Sequence, residues 1–536
     1  MLLLSALLLT SPQAQAPQPT AQLSGRVVAA DTGTPVRSAS IRLLAVKADV
    51  GTIIATSDDE GRFELTGVGV GQYSLQISKS GFVSTTYGLS PDVPGPFGVS
   101  AGQRIPLGEM KLPRAGAIAG KVFDTFGDPV ADITITAWRL DFLTPASRRV
   151  ISVRSFQSND LGEFRIYGLQ PGKYYVSAAL RSGAIADAPT FYPGTASLAD
   201  AQPVEVKAGQ DAFGITLPLG STPYGVVTGV VTDSRGAPYT AALAWLVSAR
   251  TDDVMVNSAQ LSAATDSEGR FRIVNVSPGD YRLEVFSRAW MEKVGKTGLT
   301  GGAGPTGEVA TVPVSVVAGG TTDLTVQATA GFRVRGQVFV DGTPMTGAAG
   351  ARVAAFPVTN TVSASAIPSA AVIAPDGTFV LEGVRGPRLI RQEGSAAGAF
   401  VHHVMVSGAD VTERGFDVTA DVTGVEVHLT TRPARLEGTV RDAAGSPVRD
   451  ARLVVFSTNR GDWMLPGTRR YHALTVTGEG TFRLASIPAG SYLAAMVPRE
   501  DSGRWADPDY LENLRPTATA FTMIDGSTTT IVVIKR

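Results

Sequence analysis

The chain has 536 residues, far more than one hydrophobic core can organise, so it must divide into several domains. Its 47 lysines and arginines nearly balance 48 aspartates and glutamates, and no basic stretch runs along it. That balance argues against nucleic acid and anionic membrane surfaces as partners. With no cysteines, disulfides, thiolate metal sites, cysteine nucleophiles and a cysteine-linked lipid anchor are all excluded.

Residues 2–9 form a short apolar run, and Ala14-Gln15-Ala16 follows a few residues later. This is the pattern of a secretory signal cleaved after Ala16, although no Lys or Arg precedes the run. The expectation is an exported chain, periplasmic or extracellular, that loses residues 1–16. No other stretch approaches the roughly 18 apolar residues of a membrane span.

Five related segments follow. Each opens on a short strand around a glycine: Leu23-Ser24-Gly25, Ile118-Ala119-Gly120, Val227-Thr228-Gly229, Val334-Arg335-Gly336 and Leu436-Glu437-Gly438. A turn and an alternating strand come next, as in Asp124 to Val130 and then Ile133-Thr134-Ile135. The most telling stretch is Asn159-Asp160-Leu161-Gly162-Glu163-Phe164, which runs on to Pro171-Gly172-Lys173-Tyr174. It reads as a glycine turn, a strand with Phe164 and Ile166 on its buried face, a type II turn at Pro171-Gly172, and a returning strand. The stretch recurs at Asp59 to Phe63 with Tyr73, Asp266 to Phe271 with Tyr281, Asp376 to Phe379, and Gly478 to Phe482 with Tyr492. The five phenylalanines 63, 164, 271, 379 and 482 lie 101, 107, 108 and 103 residues apart. That is the size of an immunoglobulin-like sandwich and well above a solenoid repeat.

The reading is therefore all-β: a linear array of five immunoglobulin/transthyretin-like β-sandwich modules at 23–113, 114–222, 223–331, 332–432 and 433–536. Short proline-bearing joints, such as Gly220 to Tyr224 and Thr431 to Ala434, favour a semi-rigid array. The one flexible segment expected is Gly295 to Gly307. The fourth module departs most, with Gly386-Pro387-Arg388 where glycine-x-tyrosine is expected. In the fifth, Asp507-Pro508-Asp509 predicts an N-cap and a short helix.

In this order, the opening glycine strand, the Gly-x-Pro-Val turn, Asp-x-x-Gly-x-Phe and Pro-Gly-x-Tyr resemble the carboxypeptidase regulatory-like domain. The second, third and fifth modules carry the motifs most fully; the first lacks the proline of the second turn and the fourth its tyrosine. The resemblance implies a transthyretin-like seven-stranded sandwich, related in shape to Cna-B-type and starch-binding-like modules, and a non-catalytic role. The tail, from Gly408 to Thr412 and on through Trp505 to Pro508, is similar to the end of multi-module exported proteins common in Acidobacteria.

Searches for chemistry return little. The histidines are 402, 403, 428 and 472, none in His-x-x-Glu spacing, and adjacent His402 and His403 on a strand should point to opposite faces. Gly98 to Gly102 spells a nucleophile-elbow string but falls in a predicted turn, and Gly295-Lys296-Thr297 lacks the first glycine of a phosphate loop. Acidic turns such as Ser57 to Gly61 cluster oxygens without full calcium-loop spacing. No catalytic, metal or cofactor residue is expected. Trp138, Phe356 and Phe456 recur at corresponding strand positions and read as packing. Trp463, Trp505 and Tyr510 lie in or beside variable loops of the fifth module and are the candidate glycan-stacking residues. The expected role is a structural or interaction array meeting an envelope protein or a polysaccharide, with a carbohydrate-binding protein as the alternative.

Overall fold

The computed structural model describes residues 20–46, 51–87, 96–179, 181–182, 185–186, 189–220, 223–249, 261–289, 307–347, 350–358, 369–393, 398–448, 452–465, 467–477, 479–497 and 505–535. The signal-like start and nearly all of the expected flexible segment lie outside them. By contact the chain falls into two compact units, Met1–Gly116 with the pieces Gly168–Gln170 and Lys207–Gln210, and the remainder to Arg536.

In the first unit a three-stranded sheet of Arg62–Val68, Ala21–Ala29 and Arg104–Leu112 packs on a second sheet. The second sheet runs Ile53–Thr56, Ser40–Ala45, Gly71–Ser78, Thr85–Tyr87, and Phe97–Val99 also pairs with Gly71–Ser78. Leu23, Val27, Ile41, Phe63, Leu75 and Met110, from both sheets, form one buried core. The opening strand pairs antiparallel with the cassette strand and parallel with the closing strand. This plan repeats in the other unit. The third module sets Arg270–Val276, Gly225–Thr232 and Thr321–Gln327 against a four-stranded sheet. The fifth sets Thr481–Leu484, Arg435–Arg441 and Thr528–Ile534 against Tyr471–Thr475, Arg452–Ser457, Gly490–Val497 and Thr519–Met523.

The repeated glycine and the repeated phenylalanine turn out to be one device. Gly25 lies opposite Phe63, Gly229 opposite Phe271, Gly336 opposite Phe379 and Gly438 opposite Phe482. A Cβ on Gly229 would sit 2.8 Å from the Phe271 ring, and one on Gly438 2.6 Å from the Phe482 ring. The missing side chain is what lets the ring lie against the neighbouring strand.

The cassette turn is closed by its first residue. Asp58 Oδ1 accepts from the Arg62 amide, Asn159 Oδ1 from Leu161 and Glu163, and Asp266 Oδ1 from Glu268 and Arg270. Glycines at φ +76°, +69° and +75° complete these turns, as Asx-type chemistry requires. One carboxylate oxygen of Asp58 and one of Asp266 are thus bonded to the backbone of their own turn. The second turn differs from the type II expectation. Gly172, Gly279 and Gly490 have φ of +153°, +151° and +145°, far from the +80° of that turn. Glycine is still required there, but as the first residue of the returning strand.

The tyrosine that follows closes a corner. Tyr73, Tyr281 and Tyr492 each donate their hydroxyl to the carbonyl four residues earlier, on Gly69, Ser277 and Pro488. In the fourth module Arg388 substitutes, donating Nε to the Arg385 carbonyl at 2.7 Å. That module departs in a second way. Its strand Phe400–Val406 joins the sheet of the opening and closing strands, pairing with Val422–Thr430. The corresponding Thr85–Tyr87 of the first module lies in the other sheet, against Gly71–Ser78. Arg352–Pro357, with Ala354 and Ala355 at its centre, is an ordinary strand.

Candidate functional site

The three proposed stacking residues converge on one place in the fifth module. The outer face of its second sheet carries Val454, Phe456, Leu493, Ala495 and Val497, and Trp463, Leu511, Trp505 and Tyr510 cover it. Trp463 lies on a short helix, Arg460–Trp463, capped by Asn459; Leu511 lies on Pro508–Leu514, capped by Asp507 as its sequence predicted. Trp463 is fully buried and meets Phe456 edge to face at 5.5 Å, so neither face of its indole is open to a sugar. Trp505 and Tyr510 are half-buried, and the Arg452 guanidinium lies over the Trp505 ring at 5.4 Å. Phe142, from the long hairpin of the second module, packs on the same cluster. Trp463 is therefore a packing residue, while Trp505 and Tyr510 pack on the same layer and stay partly exposed.

A cleft of about 520 Å³ opens instead where the fourth and fifth modules meet. His402, His403, Asp410, Glu413 and Arg414 line it from one side, and Arg469, Arg470, Ile487 and Asp525 from the other. Arg469 crosses the junction. Its Nη2 lies 2.6 Å from Glu413 Oε1, and its guanidinium also donates to the carbonyls of Val401 and His402. Arg391 reaches the other way, donating to the Thr412 carbonyl of its own module at 2.7 Å and to the Gly467 carbonyl of the fifth at 3.3 Å. Burial pulls Arg391 down to about 10, against the opposing pull of Glu413. It stays charged across the physiological range. Arg470 turns inward to the Ala489 carbonyl and the Tyr492 hydroxyl.

The histidines correct the sequence reading. The strand Phe400–Val406 slips register between Val401 and His403, a β-bulge that leaves His402 as the extra residue. The bulge cancels the usual alternation, and the two rings meet with Nδ1 atoms 2.7 Å apart. His403 stacks on His428 at 4.2 Å, and His428 on Phe339 at 4.8 Å. His402 Nε2 faces Asp525 of the fifth module at 3.6 Å. Burial first, then His428 and His402, hold His403 below the ordinary histidine range. His472 is likewise lowered by burial, and its Nε2 is 2.8 Å from the Arg469 carbonyl. Among the described residues no group of three or more His, Cys, Asp or Glu side chains is arranged to hold a metal ion. Gly98 to Gly102 runs from a strand into a turn toward the next strand, without the helix a nucleophile elbow needs.

A second groove, of about 630 Å³, lies on the second module over Gly120 and Phe164. Phe213 stands 74% exposed on its wall, beyond a break in register next to Gly214. Its charges are internally paired: Lys121 with Glu163 at 3.1 Å, and Arg165 with Asp211 through two bonds of 2.9 and 3.1 Å. Nothing in the sequence marked Phe213 apart from its place beside that glycine.

No curated protein matches the sequence. Among solved structures, similar ones include a Streptococcal ancillary pilin (13% identity, TM-score 0.23, 58% of this chain and 98% of that one). The minor pilin GBS52 of Streptococcus agalactiae gives 13% identity and TM-score 0.20 over 37% and 94%; the major pilin subunit BcpA of Bacillus cereus gives 13% and 0.15 over 58% and 99%. These likenesses are too distant to carry a functional argument. The first module runs from Ala21 to Leu112 and is the shortest of the five, and among its described residues there is neither a long hairpin nor a helix. It is there, at residues 22–104, that the model of the carboxypeptidase regulatory-like domain matches the chain.

Proposed function

We propose that this chain is a non-catalytic, exported array of β-sandwich modules, bounded at 23–113, 114–222, 223–331, 332–432 and 433–536, that presents surfaces in the cell envelope or outside the cell. The observation that carries the reading is the junction of the fourth and fifth modules. Arg469 reaches Glu413 and the Val401 carbonyl of the fourth module, and Arg391 reaches the Gly467 carbonyl of the fifth, so two arginines bridge the modules in opposite directions. An array whose job is to space and present surfaces needs such fixed joints. Export rests on the signal-like start. Fractionating cells that express the tagged full-length chain tests it. Mature protein beginning after Ala16 outside the cytoplasm is expected, and an uncleaved cytoplasmic chain would remove the export reading.

A carbohydrate-binding role is the second reading, and the groove of the second module favours it over the fifth-module tryptophans. Exposed Phe213 offers an apolar face, while the paired Lys121, Glu163, Arg165 and Asp211 offer hydrogen-bonding groups that largely cancel in charge. That combination suits a neutral polyol better than an ion. Affinity electrophoresis on neutral polysaccharides should show retardation that Phe213→Ala abolishes and Trp505→Ala leaves intact. Equal migration of the wild type with and without polysaccharide removes this reading.

A further inference from the structure

Three of the four histidines gather at the junction of the fourth and fifth modules, and the fourth touches the residue that crosses it. Arg469 is held at four points. Its guanidinium binds Glu413 and the carbonyls of Val401 and His402, while its own carbonyl is 2.8 Å from His472 Nε2. His402, whose carbonyl Arg469 uses, shares a hydrogen bond through its ring with His403. A histidine therefore stands at each end of the crossing.

We propose that this junction is an acid-released latch, with Arg469 as the crossing residue and His403 and His472 as the groups whose protonation opens it. An Nδ1 to Nδ1 bond of 2.7 Å needs one ring to donate a proton and the other to offer a lone pair. His402 Nε2 faces Asp525 at 3.6 Å. One added proton leaves the bond in place, because a charged ring donates to the lone pair of the neutral one; once both rings are charged, two N–H groups face each other and the bond is lost.

The surroundings reinforce this cost. His403 is flanked by His402 on its own strand, by His428 and Glu426 on Val422–Thr430, and by Asp410. The two carboxylates favour its charging, but burial and the two other rings outweigh them, and its pKa lies below the ordinary value. His472 is buried beside the Arg469 cation, and its Nε2–H donating to the Arg469 carbonyl leaves Nδ1 to take the proton. Charging it would set a second cation into the wall that already holds Arg469.

The sign follows from both shifts being downward. A histidine whose folded pKa is depressed contributes stability that is fully present above the unfolded value of about 6.5 and lost as pH falls through the folded value. The junction is thus closed at neutral pH and loosens below about pH 6.5, and neutralisation should close it again.

Because the chain has no cysteine, Thr419→Cys and Ala485→Cys can place a donor and acceptor dye on exposed positions of the two modules in the full-length protein. Energy transfer should hold steady from about pH 8 to 7, change between about pH 6.5 and 5, and recover on neutralisation. Glu413→Ala, which removes the carboxylate that Arg469 binds, should produce the same change at neutral pH. His403→Gln combined with His472→Gln should remove most of the acid response, since glutamine keeps a hydrogen-bonding amide without titrating. A flat wild-type profile overturns the proposal, and so does a full-amplitude response in the double variant. Should the double variant lose its sheet content by circular dichroism, His403→Gln alone decides, with roughly half the amplitude expected and the whole amplitude overturning the latch.

Discussion

The second sheets of the first and fifth modules share their central strand pairing but have opposite fates. In the first, Ser40–Ala45 alternates: Ile41 and Leu43 face the core while Arg42 faces solvent. In the fifth, Leu453, Val454, Val455, Phe456 and Ser457 are buried on both faces. The inner face packs on the sheet partner, and the outer face lies under Trp463 and Leu511 from two short helices. A sheet stays one-faced when polar residues interrupt its strands, and needs another layer when an apolar run leaves both faces dry.

The most damaging way to break the comparison is to remove the fifth module's cover. Trp463→Ala should cost about 3–5 kcal/mol in urea unfolding followed by circular dichroism, as expected for a fully buried aromatic. Arg42→Ala, on the equivalent outer face of the first module, should stay within about 0.5 kcal/mol. Trp463→Phe sharpens the point. The indole N–H is buried without a hydrogen-bond partner, so the smaller ring should recover most of the loss.

Next come the glycines. A Cβ at Gly438 would lie 2.3 Å from the Ile531 carbonyl oxygen, whereas one at Gly25 meets the Gly108 carbonyl at 3.2 Å. The first module slips register between Ser24 and Arg26 against its closing strand, and the fifth pairs without a break. Gly438→Ala should therefore cost about 3 kcal/mol and Gly25→Ala about 1, measured by the same denaturation. Equal losses would mean that the register slip does not relieve the contact.

A smaller effect separates the modules at a buried hydroxyl. Ser57 accepts from the Ala39 amide at 2.8 Å and donates to the Val36 carbonyl at 2.7 Å, where the fifth module has buried Val476. Ser57→Ala should cost about 1–2 kcal/mol through the unmet backbone groups, visible as a lowered urea midpoint. The smallest change concerns Arg26 and Glu109, an exposed pair at 3.1 Å. Arg26→Ala should shift the midpoint by an amount near the limit of detection.

Much of this was legible. Repeated turn chemistry located the cassettes, alternation assigned the strands, and Asp507-Pro508 located the final helix, because these depend on neighbours within a few residues. The candidate site was much less so. Trp463, Trp505 and Tyr510 were found together, but whether a loop aromatic meets solvent or its own sandwich depends on a sheet face built from residues on other strands. The adjacent histidines misled for a related reason: strict alternation separates them, and a single bulged residue brings their rings together. The family match at residues 22–104 falls on a module with one motif incomplete, and that module is the shortest of the five.

What the sequence determined by itself was the all-β plan, the five-fold repetition and the turns, since each rests on local backbone preference and a period of two. Only the tertiary structure decided that four of the opening glycines lie against a cassette phenylalanine, that a strand of the fourth module changes sheet, and that three histidines gather at one junction with the fourth touching the arginine that crosses it. Those outcomes join residues dozens of positions apart, and which strand edges and apolar faces find each other is settled by packing the whole sandwich rather than by any one segment.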